Sequence, residues 1–238
     1  MFKNMSQKKK DIVEEMGFDA LAHVPEMKVS HALLRELIDC YDEYHGFLKT
    51  LRGKIYITPA KVVAALGISH GGDHFPKKVD YCKLNEEDKA IFDSLKCVTL
   101  VTLTKFILNM SVEGEENRQK FHKSFVIFIQ KCFLLQTMVS IASAIHKPPI
   151  FCVDNIRQRD WACHVLRFLR KGIENKRKGK KQSVEGCVFV LMLIYFHETK
   201  FPHLDGLDAP PTPWVAYWTK NMIVDRISIE GTDTMVMC

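Results

Sequence analysis

The chain has 238 residues, of which 47% are hydrophobic and 26% are charged, as in ordinary globular proteins with a sizeable core. Its densest apolar run, residues 187–196, is half the length of the roughly 20 residues that cross a bilayer, and its start lacks the apolar stretch of a secretory signal. These totals exclude a disordered chain and give no sign of a helical membrane protein or a secretory leader.

The first 57 residues predict two helices and a small hairpin. Ser6 and Gly17 are typical of the start and the end of a first helix. After Ser30, apolar residues at helical spacing predict a second helix that ends near Gly46. Two short apolar runs in residues 47–57 are separated by a glycine, which predicts a hairpin.

A third helix has the clearest local signals in the chain. Thr58 suits the N-cap position, Pro59 suits the first helical turn, and Gly67 suits the left-handed turn that ends a helix. Residues 69–78 then predict a loop, and Asn85 predicts the cap of a helix whose first turn is acidic.

The second half of the chain predicts further core helices. Apolar positions over residues 115–135 follow helical spacing and become apolar on nearly all sides, as in a central helix. The prolines of residues 147–149 predict a break. A stripe beginning at Trp161 predicts an amphipathic helix, residues 175–182 a charged connector, and residues 187–196 a buried helix.

The C-terminal part predicts one last helix. Trp214 and Trp218 are four residues apart, and Thr212 ahead of Pro213 repeats the pattern of a cap followed by a proline. Residues 231–238 predict a frayed tail.

We therefore expect a mainly α fold. The chain is predicted to form a single multi-helix globular domain over residues 1–238, with its core at about 10–226 and at most a small β-hairpin near residues 47–57. The loops at 69–83 and 146–155 are the two weak candidates for a domain boundary.

Net charge is concentrated in the fifteen residues from Arg167 to Lys181, of which eight are basic and one is acidic. The rest of the chain has 26 basic and 27 acidic residues, so it lacks a broad electrostatic footprint. Three interpretations stay open: a nuclear import signal, a patch that contacts phosphates, and a solvated connector. The predicted contact residues are Arg167, Arg170, Lys171, Lys176, Arg177, Lys178, Lys180 and Lys181.

The sequence predicts no catalytic residue, metal or cofactor. His70 and His74 flank two glycines, and spacing places no third ligand for zinc beside them. Cys163 and His164 are adjacent, so their side chains diverge on a helix and cannot pair. An enzyme site near His70 or His197 stays an alternative if Cys or Asp side chains cluster there.

The eight cysteines form no C-x-x-C motif, and several lie among apolar residues. This pattern is typical of reduced, buried cysteines in a cytosolic or nuclear protein. Cys132, Cys163 and Cys187 are predicted to be small core residues.

The order of four motifs resembles the plant mobile domain, a family also labelled aminotransferase-like. The motifs are Met16-Gly17-Phe18-x-x-Leu21, Leu33-Leu34-x-x-Leu37, Ile57-Thr58-Pro59-x-x-Val62-x-x-x-Leu66-Gly67, and the helix of Trp161. The resemblance covers about residues 10–226 and is strongest to legume proteins of this type. It implies a helical, transposon-derived nuclear protein, with family links to meristem maintenance and transposon silencing.

The resemblance transfers no catalytic residue to this chain. No lysine can be placed for a pyridoxal phosphate Schiff base. Transposon proteins of this kind can continue into a ubiquitin-like-protein-specific cysteine protease, but the His-Trp and Asp-Cys-Gly signatures of those proteases are absent here.

These observations together predict a non-catalytic nuclear interaction module, derived from a transposon, whose partner is a protein such as an import receptor. Nucleic acid is a second expected partner and a membrane is not; the cytoplasm is the alternative compartment. Two other hypotheses stay open: a hydrolase or transferase with an unrecognised site, and a piece of a larger transposon-encoded protein.

Overall fold

The computed structural model describes residues 1–27, 31–94, 98–138, 146–200 and 210–232, and within them the chain is mainly helical, as predicted. The α-helices are α1 (Gln7–Glu15), α2 (His31–Asp39), α3 (Pro59–Leu66), α4 (Glu86–Ser94), α5 (Leu100–Asn109), α6 (Glu115–Ile129), α7 (Lys147–Ile150), α8 (Trp161–Arg177), α9 (Val188–Lys200), α10 (Trp214–Tyr217) and α11 (Lys220–Thr232). The strands are β1 (Tyr41–Asp42), β2 (Phe47–Thr50) and β3 (Gly53–Tyr56). Short 3-10 helices cover Phe2–Asn4, Asp19–His23, Tyr81–Lys83 and Val153–Gln158, and a π-helical turn covers Gln130–Leu134.

Local capping determines where α3 begins and ends, as predicted. The Oγ1 of Thr58 accepts a hydrogen bond from the backbone N–H of Lys61 at 3.2 Å, and Pro59 occupies the first turn. Gly67 ends the helix with φ 69° and ψ 20°, a left-handed conformation. At α4, the side chain of Asn85 caps the helix by accepting from the N–H of Asp88 at 2.7 Å.

The three strands form an antiparallel sheet in the order β1-β2-β3, which confirms the predicted hairpin and adds one strand. The predicted continuation of α2 to Gly46 is wrong, because α2 ends at Asp39 and Tyr41 pairs with Leu48 in the sheet. Tyr41 is fully buried and its hydroxyl accepts a hydrogen bond from Arg170 on α8. This tertiary contact favours the strand over further helix.

One buried apolar cluster runs from Met5 to Ile223 and includes residues of α1, α3, α6, α8 and α9. The weak candidate boundaries do not divide this core, because Phe75 and Ile150 belong to it and Pro148 is also buried. The prolines that predict a break instead occupy the first turn of α7, where a missing N–H costs nothing. Among the helices of the described ranges, none has the length and apolar character to cross a bilayer.

The last helix is interrupted, which corrects the prediction of a continuous helix through both tryptophans. α10 ends at Tyr217, Trp218 has a non-helical ψ of 89°, and the backbone then begins α11. Pro213 rather than Thr212 occupies the N-cap of α10, after a cis peptide bond. The interruption buries Trp218 against Phe196, with ring centroids 5.6 Å apart.

One more helix boundary and one whole helix differ from the sequence-based expectation. α8 continues to Arg177, so the charged connector begins three residues later than predicted. α5 has no counterpart among the predicted helices. Ser30, Cys97, His203 and residues 233–238 lie outside the described residues, and residues 231 and 232 of the predicted tail belong to α11.

Candidate functional site

Two groups of chemically active side chains lie at opposite ends of α8. We call His70, His74, Asp160 and Cys163, at the start of the helix, the N-terminal cluster. We call residues 167–181, over its second half and beyond, the basic tract. Within the described residues, His70, Asp160 and Cys163 also form a group whose potential metal-ligand atoms all lie within 4.8 Å of one another.

The N-terminal cluster forms because the loop after α3 binds to the backbone ahead of α8. The Oγ of Ser69 donates to the carbonyl of Arg159 at 2.6 Å, and the N–H of Ala162 donates to the carbonyl of Ser69 at 2.9 Å. The N–H of Asp160 donates to the carbonyl of Asp73 at 3.0 Å. These bonds join segments that are about 90 residues apart in the chain.

Gly72 allows this close approach. A Cβ at this position would lie 1.6 Å from the carbonyl oxygen of Gln158, which no side chain can tolerate. Gly72 therefore lets the loop that carries His70 and His74 approach the start of α8.

Asp160 lies at the centre of the cluster. As the N-cap of α8 it accepts a hydrogen bond from the N–H of Cys163 at 3.0 Å, and its Oδ1 is 3.1 Å from the Nδ1 of His70. Its Oδ2 is 3.7 Å from the Nδ1 of His74, and the Sγ of Cys163 is 3.7 Å from the Nδ1 of His70. The Asp160 side chain is 4% exposed, whereas that of His70 is 39% exposed.

This packing shifts the pKa values of Asp160 and Cys163 in opposite directions. Burial alone would raise the pKa of Asp160, but hydrogen bonds from the Cys163 amide and from His70 outweigh it and hold the pKa below its usual range. Burial, followed by the neighbouring Asp160 carboxylate, raises the pKa of the Cys163 thiol to about 11. Without a metal, the cluster therefore holds an ionised carboxylate beside a protonated thiol.

This geometry differs from that of a cysteine hydrolase. In such enzymes the histidine faces the thiol with one ring nitrogen and the orienting carboxylate with the other. Here the same atom, Nδ1 of His70, faces both Asp160 and Cys163. The raised pKa of the thiol also opposes formation of the nucleophilic thiolate.

The sequence pointed to His70, His74 and Cys163 separately, and missed Asp160. The only local signal for Asp160 is an Asp three residues before Cys163 at the start of a helical stripe, which is typical of an N-cap. His164, the sequence neighbour of Cys163, is not part of the cluster. It packs against Phe75 with ring centroids 4.8 Å apart, and burial lowers its pKa to about 4.

Two arginines of the basic tract donate hydrogen bonds to residues outside α8. Arg170 donates from Nε to the hydroxyl of Tyr41 at 2.9 Å. Arg177 donates to the carbonyl of Tyr41 at 2.6 Å and to that of Ile38 at 2.9 Å, and it forms an ion pair with Glu43. These two cations join α8 to the end of α2 and to β1, so they are structural residues.

Three lysines of the tract form ion pairs with nearby acids. Lys171 and Lys178 lie 2.9 and 2.5 Å from the carboxylate oxygens of Glu174, and Lys181 lies 3.3 Å from that of Glu185. Hydrogen bonds from Lys178 and Lys171 lower the pKa of Glu174 to about 2. All three lysines stay solvent-exposed, and such surface pairs contribute little to stability.

The remaining three cations, Arg167, Lys176 and Lys180, are exposed, and their side chains form no hydrogen bond or ion pair within the described part of the chain. The tract therefore has two kinds of cation: Arg170 and Arg177 bind other elements of the fold, whereas Arg167 and the five lysines lie at the surface.

The other predicted sites do not form a catalytic arrangement among the described residues. His197 is buried and stacks on Trp214 with ring centroids 3.8 Å apart. Burial raises the pKa of both Cys132 and Cys187 to about 12, as expected for core thiols, although only Cys187 is fully buried. Cys40 is disulfide-bonded, which departs from the expectation of reduced cysteines.

Comparison with known proteins gives a family and no described relative. No curated protein and no solved structure matches the chain significantly. The model of one family, whose description is "Domain of unknown function (DUF8566)", matches residues 1–192. This range covers most of the chain, including the N-terminal cluster, the basic tract and the start of α9. The chain therefore belongs to the DUF8566 family of domains of unknown function.

Proposed function

We propose that the chain is a non-catalytic interaction module that enters the nucleus by binding an import receptor. The observation that carries this proposal is the division of the basic tract. Four exposed lysines, which we call the import lysines, lie on the last turn of α8 and in the loop that follows it. They are Lys176, Lys178, Lys180 and Lys181.

An import receptor binds basic side chains at a short exposed segment, and the import lysines offer such a segment. Lys178 and Lys181 are exposed and each is paired with a single acid, Glu174 or Glu185, so an acidic receptor can compete with these acids for the two lysines. The loop is attached to the core at both ends, by α8 and α9, which gives the lysines a defined position.

Charge distribution favours a protein partner over nucleic acid. Outside the tract the chain has 26 basic and 27 acidic residues. Proteins that bind nucleic acid without sequence specificity use a wide basic surface to neutralise many phosphates. Four lysines at one end of a helix form a smaller footprint.

The resemblance to the plant mobile domain supports the same compartment and adds a transposon origin to the proposal. One observation counts against it. Cys40 is disulfide-bonded, and such bonds are rare in nuclear and cytosolic proteins.

The test is nuclear accumulation of the chain fused to a fluorescent protein too large to diffuse through nuclear pores. Replacement of all four import lysines by Ala, with Arg177 kept, is expected to abolish accumulation. A matched control replaces Lys49, Lys77, Lys78 and Lys105, which are also exposed, so that the same charge is removed elsewhere on the surface. Equal accumulation of both variants would contradict the proposal and leave the loop a solvated connector.

The nucleic-acid alternative is tested with the same proteins. If the wild type is retained on duplex DNA with steep loss on added salt, and the import-lysine variant is not retained, the tract is a phosphate-contacting patch. We expect weak retention on DNA that is similar for the wild type and the import-lysine variant.

A cysteine hydrolase or transferase is a second candidate, because Cys163, His70 and Asp160 converge. Such an enzyme needs a reactive thiolate at neutral pH. We expect iodoacetamide at pH 7 to alkylate Cys163 more slowly than the exposed Cys82, as followed by mass spectrometry. Faster alkylation of Cys163 would favour the enzyme.

A further inference from the structure

We propose that His70, Asp160 and Cys163 bind a zinc ion, with His74 as the fourth ligand. This site is independent of the proposed nuclear function. It joins the loop after α3 to the first turn of α8 across about 90 residues of chain.

The distances between ligand atoms suit a tetrahedral zinc ion. Zinc bonds of about 2.0–2.3 Å at tetrahedral angles place neighbouring ligand atoms about 3.3–3.8 Å apart. The Nδ1 of His70 lies 3.1 Å from Asp160 Oδ1 and 3.7 Å from Cys163 Sγ. All three atoms lie within 4.8 Å of one another, so shifts of under about 1 Å bring them to one ion.

His74 can supply the fourth ligand. Its Nδ1 lies 3.7 Å from the Oδ2 of Asp160, and its side chain is 62% exposed. An exposed imidazole can rotate without displacing the core, so His74 can complete the coordination. Four protein ligands form a closed site, which is typical of structural rather than catalytic zinc.

The ligand types select zinc among common cations. A thiolate and imidazoles are poor ligands for Mg²⁺ and Ca²⁺, which prefer oxygen, and together with a carboxylate they suit zinc. When the metal binds, the Cys163 thiol releases its proton to solvent. The thiolate and the Asp160 carboxylate then balance the two positive charges of the ion.

The backbone orients the ligands before any metal binds. Asp160 is fixed by the N–H of Cys163, and the loop that carries both histidines is fixed by backbone bonds to residues 159–162. At Gly72 the loop lies so close to the segment ahead of α8 that there is no room for a Cβ beside the carbonyl oxygen of Gln158. A site organised in this way loses little conformational entropy when it binds a metal.

The test uses Co²⁺ and Zn²⁺ on the full chain. We expect one Co²⁺ per chain, with a tetrahedral visible spectrum and a near-ultraviolet charge-transfer band that reports a Co–thiolate bond. Zn²⁺ is expected to displace it. Cys163→Ser should abolish the charge-transfer band, and His70→Gln should weaken Zn²⁺ binding at least tenfold. A loss of about tenfold is expected for His74→Gln.

Matched controls separate the site from general metal binding. Cys82→Ser removes an exposed free thiol, and His45→Gln removes an exposed histidine that also lies 2.9 Å from a carboxylate, that of Asp42. Neither should change stoichiometry or spectrum. Far-ultraviolet circular dichroism checks the fold of each variant, and His70→Gln, whose change lies on an exposed loop, keeps the test valid if Cys163→Ser unfolds.

Two outcomes would overturn the proposal. One is a folded wild type that gives no cobalt–thiolate band. The other is a folded Cys163→Ser protein that binds Zn²⁺ as tightly as the wild type. A Zn²⁺-dependent rise in melting temperature that the wild type shows and His70→Gln lacks would support it further.

Discussion

The two ends of α8 differ in how their charged and polar side chains relate to the fold. At the N-terminal end, side chains from two distant segments converge on one carboxylate, Asp160. At the C-terminal end, the cations point to different partners: Arg170 donates to the hydroxyl of Tyr41, Arg177 donates to backbone carbonyls, and the lysines are exposed to solvent. Density of charge in a sequence is therefore a poor guide to a built site, whereas convergence in space is a better one.

The largest expected effect contrasts two glycines, Gly72 in the loop held against the start of α8 and Gly179 in the exposed loop after α8. Gly72→Ala places a Cβ against the carbonyl of Gln158, so the loop must separate from α8, and we expect a loss of about 3 kcal/mol. Gly179 in the basic tract has φ 68° and open space around it, so Gly179→Ala should cost about 1 kcal/mol from backbone strain alone. Urea unfolding measures both. Equal losses would mean that the loop is not held against α8.

The next comparison separates the cations of the basic tract. Arg177→Ala removes charge-assisted hydrogen bonds to the carbonyls of Ile38 and Tyr41 and the ion pair with Glu43, so we expect a loss of about 2–3 kcal/mol. Lys180→Ala at the exposed loop should change stability by less than about 0.5 kcal/mol. Chemical denaturation distinguishes them. If Arg177→Ala is as mild as Lys180→Ala, the structural role of Arg177 is wrong.

A smaller effect is expected for the cap of α8, measured in the presence of a chelator so that no metal contributes. Asp160→Ala leaves the N–H of Cys163 without its acceptor and should cost about 1–2 kcal/mol. Asp160→Asn keeps an acceptor of the same shape and should cost clearly less. Thr58→Ala, at the cap of α3, is the matched control and should cost about 1 kcal/mol.

The smallest effect concerns pH at the C-terminal end. The pKa of Glu174 is lowered from 4.5 to about 2, so its contribution is fully present above pH 4.5 and is lost as pH falls toward 2. At low salt, the wild type should lose more stability than Glu174→Gln over this range. High salt should reduce the difference, because the pairs with Lys171 and Lys178 are exposed. A salt-independent difference would indicate a buried role for Glu174.

Sequence-based prediction succeeded where the determinants are local. Thr58, Pro59 and Gly67 specify α3 within ten residues, and the hairpin and the mainly helical class follow from short patterns. It was wrong at Tyr41 and Trp218, where helical spacing continues but burial against Arg170 and Phe196 determines the backbone. Such contacts are absent from any local window.

The candidate sites show the same limit. The eight cations were visible in the sequence, but not that Glu43 and the carbonyl of Tyr41 bind Arg177. Spacing along the chain cannot show that a loop and the start of a helix meet at Asp160, so the sequence alone does not bring His70 and Cys163 together.

The length of α8 has a consequence for how its ends can act together. Its 17 residues span about 25 Å, which is more than twice the distance over which salt screens charges in the cell. An ion bound near Asp160 and a receptor bound near Lys180 would therefore not sense each other electrostatically. If both bind, the charge of one would contribute little to the affinity for the other, so substitutions at one end could be designed without an electrostatic effect at the other.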